Sequence, residues 1–275
     1  MFSFKKLLND KKLPLVMGIL NITPDSFSDG GEAFTVEDAV RKTKQLCDEG
    51  ADIIDVGACS TAPCNDIVSE EVELERLEKF LPAIIRCADV PVSVDTFRPS
   101  VAEYALSQGA LIINDESGIY NKCMAECVAR YKAGWIFMHT GGADSVKSSK
   151  YPDGVVEDVV SFFDTMKKHA LDMGLKEEQL CFDFGIGFGK TRHDDLELLS
   201  SCDKLSKFSP LLVGVSRKRI VGEITGEPDP KNRVAGSVAA VTVCVYNGAE
   251  IVRVHDVKET VDALKICCAI KRGEM

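Results

Sequence analysis

The sequence predicts an α/β protein, a (β/α)8 TIM barrel that forms one domain over residues 1–275. Eight short apolar runs recur along the chain, and a helix-like amphipathic segment follows each of them. Strands buried on both faces have this continuous Val/Ile/Leu composition. The length of 275 residues and the 45% hydrophobic content suit a barrel of this kind, which commonly needs roughly 250 residues.

Almost every apolar run ends at a polar residue. A parallel barrel builds its active site from the residues that leave the carboxyl ends of its strands, so these polar groups are predicted to meet at one mouth. In chain order the runs are LVMGIL before Asn21, ADIIDV around Asp55, PVSV before Asp95, LII before Asn114, GWIFM before His139, LCF before Asp183, LLVGV before Ser216 and IVRV before His255.

The segments between the runs have ordinary helix signals. Thr35 and Asp38 resemble a capping box at the start of an amphipathic helix, and Gly50 ends that helix. The very apolar region 232–247 predicts a buried helix, because its length and small residues favour a helix over a strand. Further helices are predicted in SEEVELERLEKFLPAIIRC, RPSVAEYALSQG, NKCMAECVARYKAG, VVEDVVSFFDTMKKHALDMG, DDLELLSSC and KETVDALKICCAIKRG.

Composition excludes several classes of function. A net charge of −10 argues against a nucleic-acid surface, because phosphate neutralisation needs clustered Lys and Arg. The charged start MFSFKKLLNDKK does not resemble a signal peptide, and no run reaches the roughly 18 apolar residues that a membrane span requires. The eleven cysteines are scattered without a CxxC pair, so neither disulfides nor zinc are predicted. We expect a cytoplasmic protein.

The strand-end residues have alternative interpretations. An isolated Asp95 or Asp183 most often caps the following helix. Together with the Asn114 amide at the same mouth, the two carboxylates instead suit the edge of a flat, nitrogen-rich heterocycle. The segment TPDSFSDGG is first of all a turn, and its length also suits a lid. His139 fits a core histidine and a ligand contact equally well.

The segment GIGFGKT at 185–191 is not a phosphate-binding P-loop, because only three residues separate Gly185 from the Gly-Lys-Thr that begins at Gly189. Its glycines predict a sharp turn at the barrel rim that leaves Phe188 to line a pocket.

Apolar strands deliver Lys218 and Arg253 to the mouth, which predicts an anion site near strands 7 and 8.

Eight motifs in register give the chain a family resemblance. They are MGILNITPDSFSDGG, GADIIDVGACST, SVDTFRPSVAEYAL, GALIINDESG, FMHT, DFGIGFGKT, GVSRKR and VRVHDV. Their order resembles that of the dihydropteroate synthases. The resemblance implies a homodimeric, Mg²⁺-dependent transferase of folate biosynthesis that is a sulfonamide target. It would join 6-hydroxymethyl-7,8-dihydropterin pyrophosphate to 4-aminobenzoate and release pyrophosphate.

The resemblance also implies roles for individual residues, each at a matching motif position. Lys218, Asp95 and Arg253 would be catalytic, and Asn21 would be a Mg²⁺ ligand. The pterin would contact Asp95, Asn114, Asp183, Lys218 and Arg253; the pyrophosphate Asn21, Thr61, Arg253 and His255; and the 4-aminobenzoate Thr61, Pro63, Phe188, Lys218 and Arg219.

One departure from the family pattern bears on activity. Ala62 stands where the family has an arginine that helps to bind pyrophosphate, so an alternative is a pterin-binding homologue with weakened or lost condensation activity. Arg217 or Arg219 is a candidate replacement for that arginine, and Phe184 is predicted to narrow the pterin pocket. A pterin-dependent methyltransferase barrel fits less well, because it is not expected to keep the lid and the SRK motif.

Overall fold

A computed structural model describes residues 1–11, 13–23, 34–59, 68–141, 150–208 and 210–273. In these ranges eight parallel strands form a closed barrel, in which each strand pairs with the next along the chain and the last pairs with the first. The predicted (β/α)8 barrel is confirmed. The strands are β1 Leu15–Asn21, β2 Ile53–Gly57, β3 Val92–Asp95, β4 Ile112–Asp115, β5 Gly134–Met138, β6 Leu180–Asp183, β7 Leu211–Val213 and β8 Ile251–Val254.

Helices surround the barrel. In the described ranges none is long and apolar enough to cross a bilayer. They are α1 Phe4–Lys11, α2 Val36–Asp48, α3 Glu70–Cys87, α4 Pro99–Gln108, α5 Lys122–Tyr131, α6 Val155–Asp172, α7 Arg192–Ser200, α8 Cys202–Leu205, α9 Arg219–Thr225, α10 Val234–Tyr246 and α11 Val257–Arg272, with 3-10 turns at Glu177–Gln179 and Pro230–Asn232.

The predicted capping box of α2 is confirmed. The Thr35 hydroxyl accepts the backbone N–H of Asp38, and the Asp38 carboxylate accepts the backbone N–H of Thr35 in return. The pair satisfies two of the donors that a helix start leaves without partners. After the helix, Gly50 takes a φ of +100°, and the chain turns directly into β2.

The barrel interior is apolar at its amino end and polar at its carboxyl end. Side chains two residues apart lie on the same face of a strand, so Ile53, Ile112 and Ile251 in the lower layer are followed by Asp55, Asn114 and Arg253 above them. Phe4 of α1 closes the bottom. The lower cluster consists of Phe4, Leu15, Met17, Ile53, Ile112, Ile136, Cys181, Leu212 and Ile251. A packed plug therefore supports a polar mouth.

The predicted burial of the helix over 232–247 is wrong, although the helix itself is present as α10. One face packs inward through Ser237, Val241, Cys244 and Val245. On the outer face, Val243 and Tyr246 are 56% and 53% exposed. An all-round apolar composition is typical of a buried helix, but it also fits a helix whose second face meets another molecule.

Candidate active site at the carboxyl end of the barrel

Strand register brings the predicted polar residues to one mouth. Asn21 lies opposite Gly57, Gly57 lies opposite Asp95, and Asp95 lies opposite Asn114. Neither Asp95 nor Asp183 caps a helix, since Arg98 is the N-cap of α4 and Thr191 that of α7. The carboxylates are therefore available to the mouth.

Arg253 links two strands of this mouth. Its Nε donates to Asp55 Oδ2 at 2.6 Å, and its Nη2 donates to Asp95 Oδ2 at 2.7 Å. Burial acts to lower the pKa of Arg253, but the charges of Asp55, Asp95 and Glu116 outweigh it and raise that pKa. The guanidinium is held in place before any ligand arrives.

Asp55 is the polar residue beneath this arrangement, and the sequence interpretation gave it no role. It is fully buried, and its Oδ2 also accepts a hydrogen bond from Asn114 Nδ2 at 3.2 Å. Its Oδ1 has no hydrogen-bond partner. Asp55 follows Ile53 by two residues, so strand alternation was the signal that would have placed it inside the barrel. It fixes the orientation of both Arg253 and Asn114.

Glu116 is a second residue that the sequence interpretation missed. Burial raises the pKa of Asp95 well above its usual range, and the Glu116 carboxylate raises it further, whereas the Arg253 charge lowers it. The Glu116 charge also acts on Asp183, Lys218 and Arg253. Glu116 follows Asn114 by two residues, so the same alternation pointed toward the mouth.

Asp183, Lys218 and Arg253 converge around Gly214. A Cβ at Gly214 would lie 3.8 Å from Arg253 Cβ, from Asp183 Oδ2 and from Lys218 Nζ. Burial raises the pKa of Asp183 and lowers that of Lys218, and each charge partly offsets the effect of burial on the other. The missing side chain at Gly214 leaves the space between these groups open.

Phe188 and Lys218 lie against each other at the barrel mouth. The Lys218 ammonium lies 4.5 Å from the centroid of the Phe188 ring and donates to the carbonyl of Ile186 at 2.6 Å. A cation over an aromatic face is attracted by the ring quadrupole. Two residues that the resemblance assigns to the 4-aminobenzoate site therefore lie side by side, and their role in binding it stays a prediction.

Lys190 secures the loop between β6 and α7. Its side chain is fully buried, and its ammonium donates to the carbonyls of His139, Gly185 and Phe188 at 3.0, 2.9 and 3.3 Å. Burial lowers the pKa of Lys190 to about 7. The lysine of GIGFGKT thus binds backbone carbonyls, which agrees with the rejection of a P-loop.

His139 lies in the core at the end of β5. Its Nε2 is 2.8 Å from Asp158 Oδ2, and its ring packs against Phe162. Burial, followed by the charge of Lys190, lowers the pKa of His139 to about 4. The residue is 3% exposed, which favours the core interpretation over a ligand contact.

His255 lies beyond β8 and pairs with Ser216. Its Nδ1 is 3.1 Å from Ser216 Oγ, and that oxygen also accepts the backbone N–H of His255. Burial and the charges of Arg217 and Arg253 lower the pKa of His255 to about 3. The imidazole is therefore neutral at physiological pH.

Asn21 is the predicted metal ligand. No group of three or more His, Cys, Asp or Glu residues that suits a metal occurs among the residues described. The Asn21 Oδ1 lies 2.9 Å from the position that a Gly57 Cβ would occupy, so the glycine provides the room for this amide. Mg²⁺ usually keeps several waters and binds phosphate oxygens, so a single amide oxygen fits its donor set.

The other residues that the sequence singled out are Thr61, Pro63, Ala62, Arg219 and Phe184. Thr61, Pro63 and Ala62 lie outside the described residues, as does most of the TPDSFSDGG segment. Arg219 is half-exposed and pairs with Glu223 at 3.2 Å. The prediction that Phe184 narrows the pocket is wrong, because its side chain is fully buried in the core between barrel and helices.

Known proteins resemble the whole barrel. The pterin binding enzyme family model matches residues 17–255. The dihydropteroate synthase of Clostridium beijerinckii is 40% identical over 260 residues, which cover 94% of this chain and 94% of that protein. A structure of the Xanthomonas albilineans dihydropteroate synthase with 4-aminobenzoic acid has a TM-score of 0.88 and 41% identity, covering 94% of this chain and 93% of its own. The Yersinia pestis enzyme, solved with a sulfonamide drug, has a TM-score of 0.87 and 38% identity, covering 96% of each chain.

Proposed function

The chain belongs to the family of pterin binding enzymes, and on that basis we propose that it is a dihydropteroate synthase. It is a transferase that joins 6-hydroxymethyl-7,8-dihydropterin pyrophosphate to 4-aminobenzoate and releases pyrophosphate. The observation that carries this proposal is the convergence of Asp95, Asn114, Asp183, Lys218 and Arg253, which come from β3, β4, β6, the turn after β7 and β8, in a chain with these relatives.

The pterin ring is proposed to lie over the polar layer of the barrel. The carboxylates of Asp95 and Asp183 accept hydrogen bonds from its ring N–H and amino groups, and the Asn114 amide supplies both a donor and an acceptor. Arg253 stacks on the ring face, where a guanidinium gains cation–π stabilisation. Because Asp55 and Asp95 already hold Arg253, little side-chain freedom is lost on binding.

The 4-aminobenzoate ring is proposed to lie against Phe188 and the stem of Lys218. These side chains form one wall beside the pterin pocket, and Thr61 and Pro63 are assigned to the same site by the family resemblance alone. Arg219 would reach the carboxylate of this substrate only after leaving Glu223. Since the Yersinia pestis relative was solved with a sulfonamide drug, we expect sulfonamides to compete with 4-aminobenzoate here.

Asn21, Arg253 and His255 are proposed to bind the pyrophosphate. The neutral His255 acts through hydrogen bonding: when Ser216 donates to Nδ1, its Nε2–H is left as a donor toward the anion. The Asn21 amide would hold Mg²⁺ with water and substrate oxygens as its other ligands. Mg²⁺, when bound, neutralises charge that develops on the departing pyrophosphate.

The reaction is proposed to be dissociative. The C–O bond of the pyrophosphate ester breaks first, and the bonding electrons leave with pyrophosphate. The pterin cation that remains is stabilised by the carboxylates of Asp95 and Asp183 beneath it. The 4-aminobenzoate amine then attacks the exocyclic carbon and loses a proton, so no covalent bond to the protein forms.

A pterin-binding protein with weakened or lost condensation activity is the alternative, and one observation favours it. The Arg217 guanidinium is paired with Asp256, and Arg219 is paired with Glu223. Because both guanidinium groups are paired, neither is available to take over the pyrophosphate contact of the arginine that the family has at the position of Ala62.

Turnover of the purified chain separates the two candidates. We expect dihydropteroate to form from the pterin pyrophosphate, 4-aminobenzoate and Mg²⁺, and Ala62→Arg to raise kcat by about tenfold or more through a charge-assisted contact with the leaving group. Pterin binding without product from the wild-type chain would exclude the synthase and leave the binding protein.

We further propose that the protein is a homodimer that pairs through α10 and α11. Beside the exposed Val243 and Tyr246, the α11 side chains Ile266 and Ile270 are 64% and 68% exposed. The two helices are in contact, since Cys267 Sγ reaches the carbonyl of Thr242 and Lys271 Nζ that of Tyr246. A contiguous apolar surface suits a second copy of the same chain, as the family resemblance implies.

A cytoplasmic location is proposed on the basis of the thiols. Ten cysteines lie in the described part of the chain, and all of them are free. Cys202 and Cys244 lie close enough to hydrogen-bond without being joined. Thiols persist in the reducing compartments of the cell, where disulfides are rare.

A further inference from the structure

Arg217 has a positive φ, a backbone conformation that residues other than glycine rarely adopt. The turn from Val215 to Lys218 is closed by a hydrogen bond from the Lys218 N–H to the Val215 carbonyl, and Arg217 is its third residue with a φ of +59°. A turn with positive φ at this position is normally made by glycine. The only other non-glycine residue with positive φ in the described ranges is Lys132, which ends α5.

Three contacts from outside the turn hold Arg217 in this conformation. Ser237 Oγ accepts its backbone N–H at 2.8 Å, and Arg233 Nη1 donates to its carbonyl at 3.0 Å. Its guanidinium forms a bidentate pair with Asp256, with Nε 3.0 Å from Oδ2. Strained residues persist where the surroundings determine their conformation, and such residues cluster at functional sites.

Arg233 clamps the same segment from below. Besides Arg217, its guanidinium donates to the carbonyls of Glu227 and Pro228 at 2.9 and 2.6 Å and lies 3.4 Å from the carbonyl of Lys218. A Cβ on Gly222 would lie 2.5 Å from its Cζ, so the glycine admits the guanidinium. Through the carbonyls of Arg217 and Lys218, the Arg233 guanidinium fixes the backbone on both sides of the Lys218 Cα.

We propose that Arg217, Asp256 and Arg233 are positioning residues that aim Lys218 into the pocket. The strained turn presents Lys218 so that its ammonium reaches the Ile186 carbonyl, the Phe188 ring and the surroundings of Gly214. Arg217 thus serves the reaction with its backbone and turns its charge away from the substrates toward Asp256. This inference rests on the proposed function, since Lys218 contacts the pterin there.

Comparison of Arg217→Gly with Arg217→Ala tests the proposal. The measured quantity is the affinity of each variant for 6-hydroxymethyl-7,8-dihydropterin pyrophosphate, determined by calorimetry in the absence of 4-aminobenzoate. Glycine accepts the positive φ without the ion pair, whereas alanine keeps the strain and loses the pair. We expect alanine to weaken binding about tenfold and glycine by less than about threefold. Equal losses would mean that the guanidinium itself contacts the substrate and would overturn the proposal.

The Arg217→Ala substitution in a Lys218→Met chain separates a positioning role from a purely structural role. A purely structural role would weaken binding in both chains alike. If Arg217 acts through Lys218, Arg217→Ala changes the affinity of the Lys218→Met chain by less than about twofold. A loss as large as in the wild-type chain would overturn the proposal.

Asp256→Asn covers the case in which Arg217→Ala does not fold. It removes the charge partner, and we expect a severalfold loss of affinity that Arg217→Gly in the same chain restores. Failure of that rescue would contradict the proposal. If the wild-type chain binds the pterin but forms no product, the proposed synthase activity is refuted and the positioning role of Arg217 is still testable by binding. If the wild-type chain binds no pterin, both proposals are refuted.

Discussion

At the scale of single residues, Arg253 connects two of the buried carboxylates of the mouth. It pairs with Asp55 and Asp95, whose side chains are 0% and 10% exposed, and its own is 15% exposed. Desolvating such a group is costly, and the loss of one partner leaves the others buried without compensation. Arg253 and Asp95 are also proposed to contact the pterin, so charge pairing and ligand binding share two of these three side chains.

Arg253→Met is expected to lower the free energy of unfolding by about 3–5 kcal/mol and to reduce kcat/KM by about a hundredfold or more. The change leaves Asp55 and Asp95 without their cation and removes the group that is proposed to stack on the pterin. Urea denaturation and steady-state turnover measure the two effects.

Arg130→Met is the matched control for that substitution. Arg130 pairs with Glu103 at the surface, with the two side chains 63% and 39% exposed. Such pairs contribute about 0–1 kcal/mol. Equal destabilisation by the two substitutions would contradict the buried-pair interpretation.

His255→Gln is expected to reduce the acid sensitivity of the fold. The pKa of His255 is about 3 in the folded protein and about 6.5 in an unfolded chain. Below pH 6.5 the unfolded state binds a proton that the folded state does not, so the stability present above pH 6.5 is lost as the pH falls toward 3.

Chemical denaturation at pH 7 and pH 5 measures this effect. The decrease in the free energy of unfolding should be smaller in His255→Gln than in the wild-type chain by about 1–2 kcal/mol. His193→Gln, at an exposed position, serves as the control. If the wild-type chain, His255→Gln and His193→Gln lose the same free energy of unfolding between pH 7 and pH 5, His255 does not contribute to the acid sensitivity.

At the scale of elements, the loop after β6 depends on one lysine. The ammonium of Lys190 joins carbonyls from the ends of β5 and β6, and Gly185 passes so close that a Cβ there would lie 2.0 Å from the His139 carbonyl. The segment also carries Ile186 and Phe188, which contact Lys218. The position of Ile186 and Phe188 beside Lys218 therefore depends on the buried ammonium of Lys190.

Lys190→Met is expected to destabilise the protein by about 1–3 kcal/mol, because buried carbonyls lose their donor. It should also raise the KM for 4-aminobenzoate more than that for the pterin substrate, since Phe188 is proposed to line the former site. Lys204→Met, on an exposed position of α8, is the control, and an unchanged KM ratio would show that the loop keeps its position without the lysine.

At the scale of the whole molecule, alternation along the strands explains how much of the site was predictable. The polar residues that end the apolar runs, Asp95, Asn114 and Asp183, were found because each run stops at them. Asp55 lies inside its run, and Glu116 lies one residue beyond β4, so neither is marked by the end of an apolar segment. The partners of Arg217 and Lys190 come from other elements of the fold, and no local pattern contains that information.

The outer face of α10 and α11 governs the proposed assembly. Ile266→Glu with Ile270→Glu is expected to convert a dimer into a monomer, because charges would replace apolar contacts at the interface. Sedimentation velocity measures the change. Ile119→Glu, at a position 65% exposed but outside these helices, should leave the dimer intact, and an assembly unchanged by the α11 substitutions would place the interface elsewhere.

The plug of apolar side chains beneath the polar mouth implies an unequal tolerance to mutation along the barrel axis. In a library of single substitutions selected separately for soluble yield and for folate-dependent growth, changes at Phe4, Ile53 or Ile251 should fail both selections. Apolar replacements at Asn114 or Asp183 should pass the first and fail the second, since binding sites trade stability for activity. The closed end of the barrel can therefore stay constant while the open end acquires new specificities.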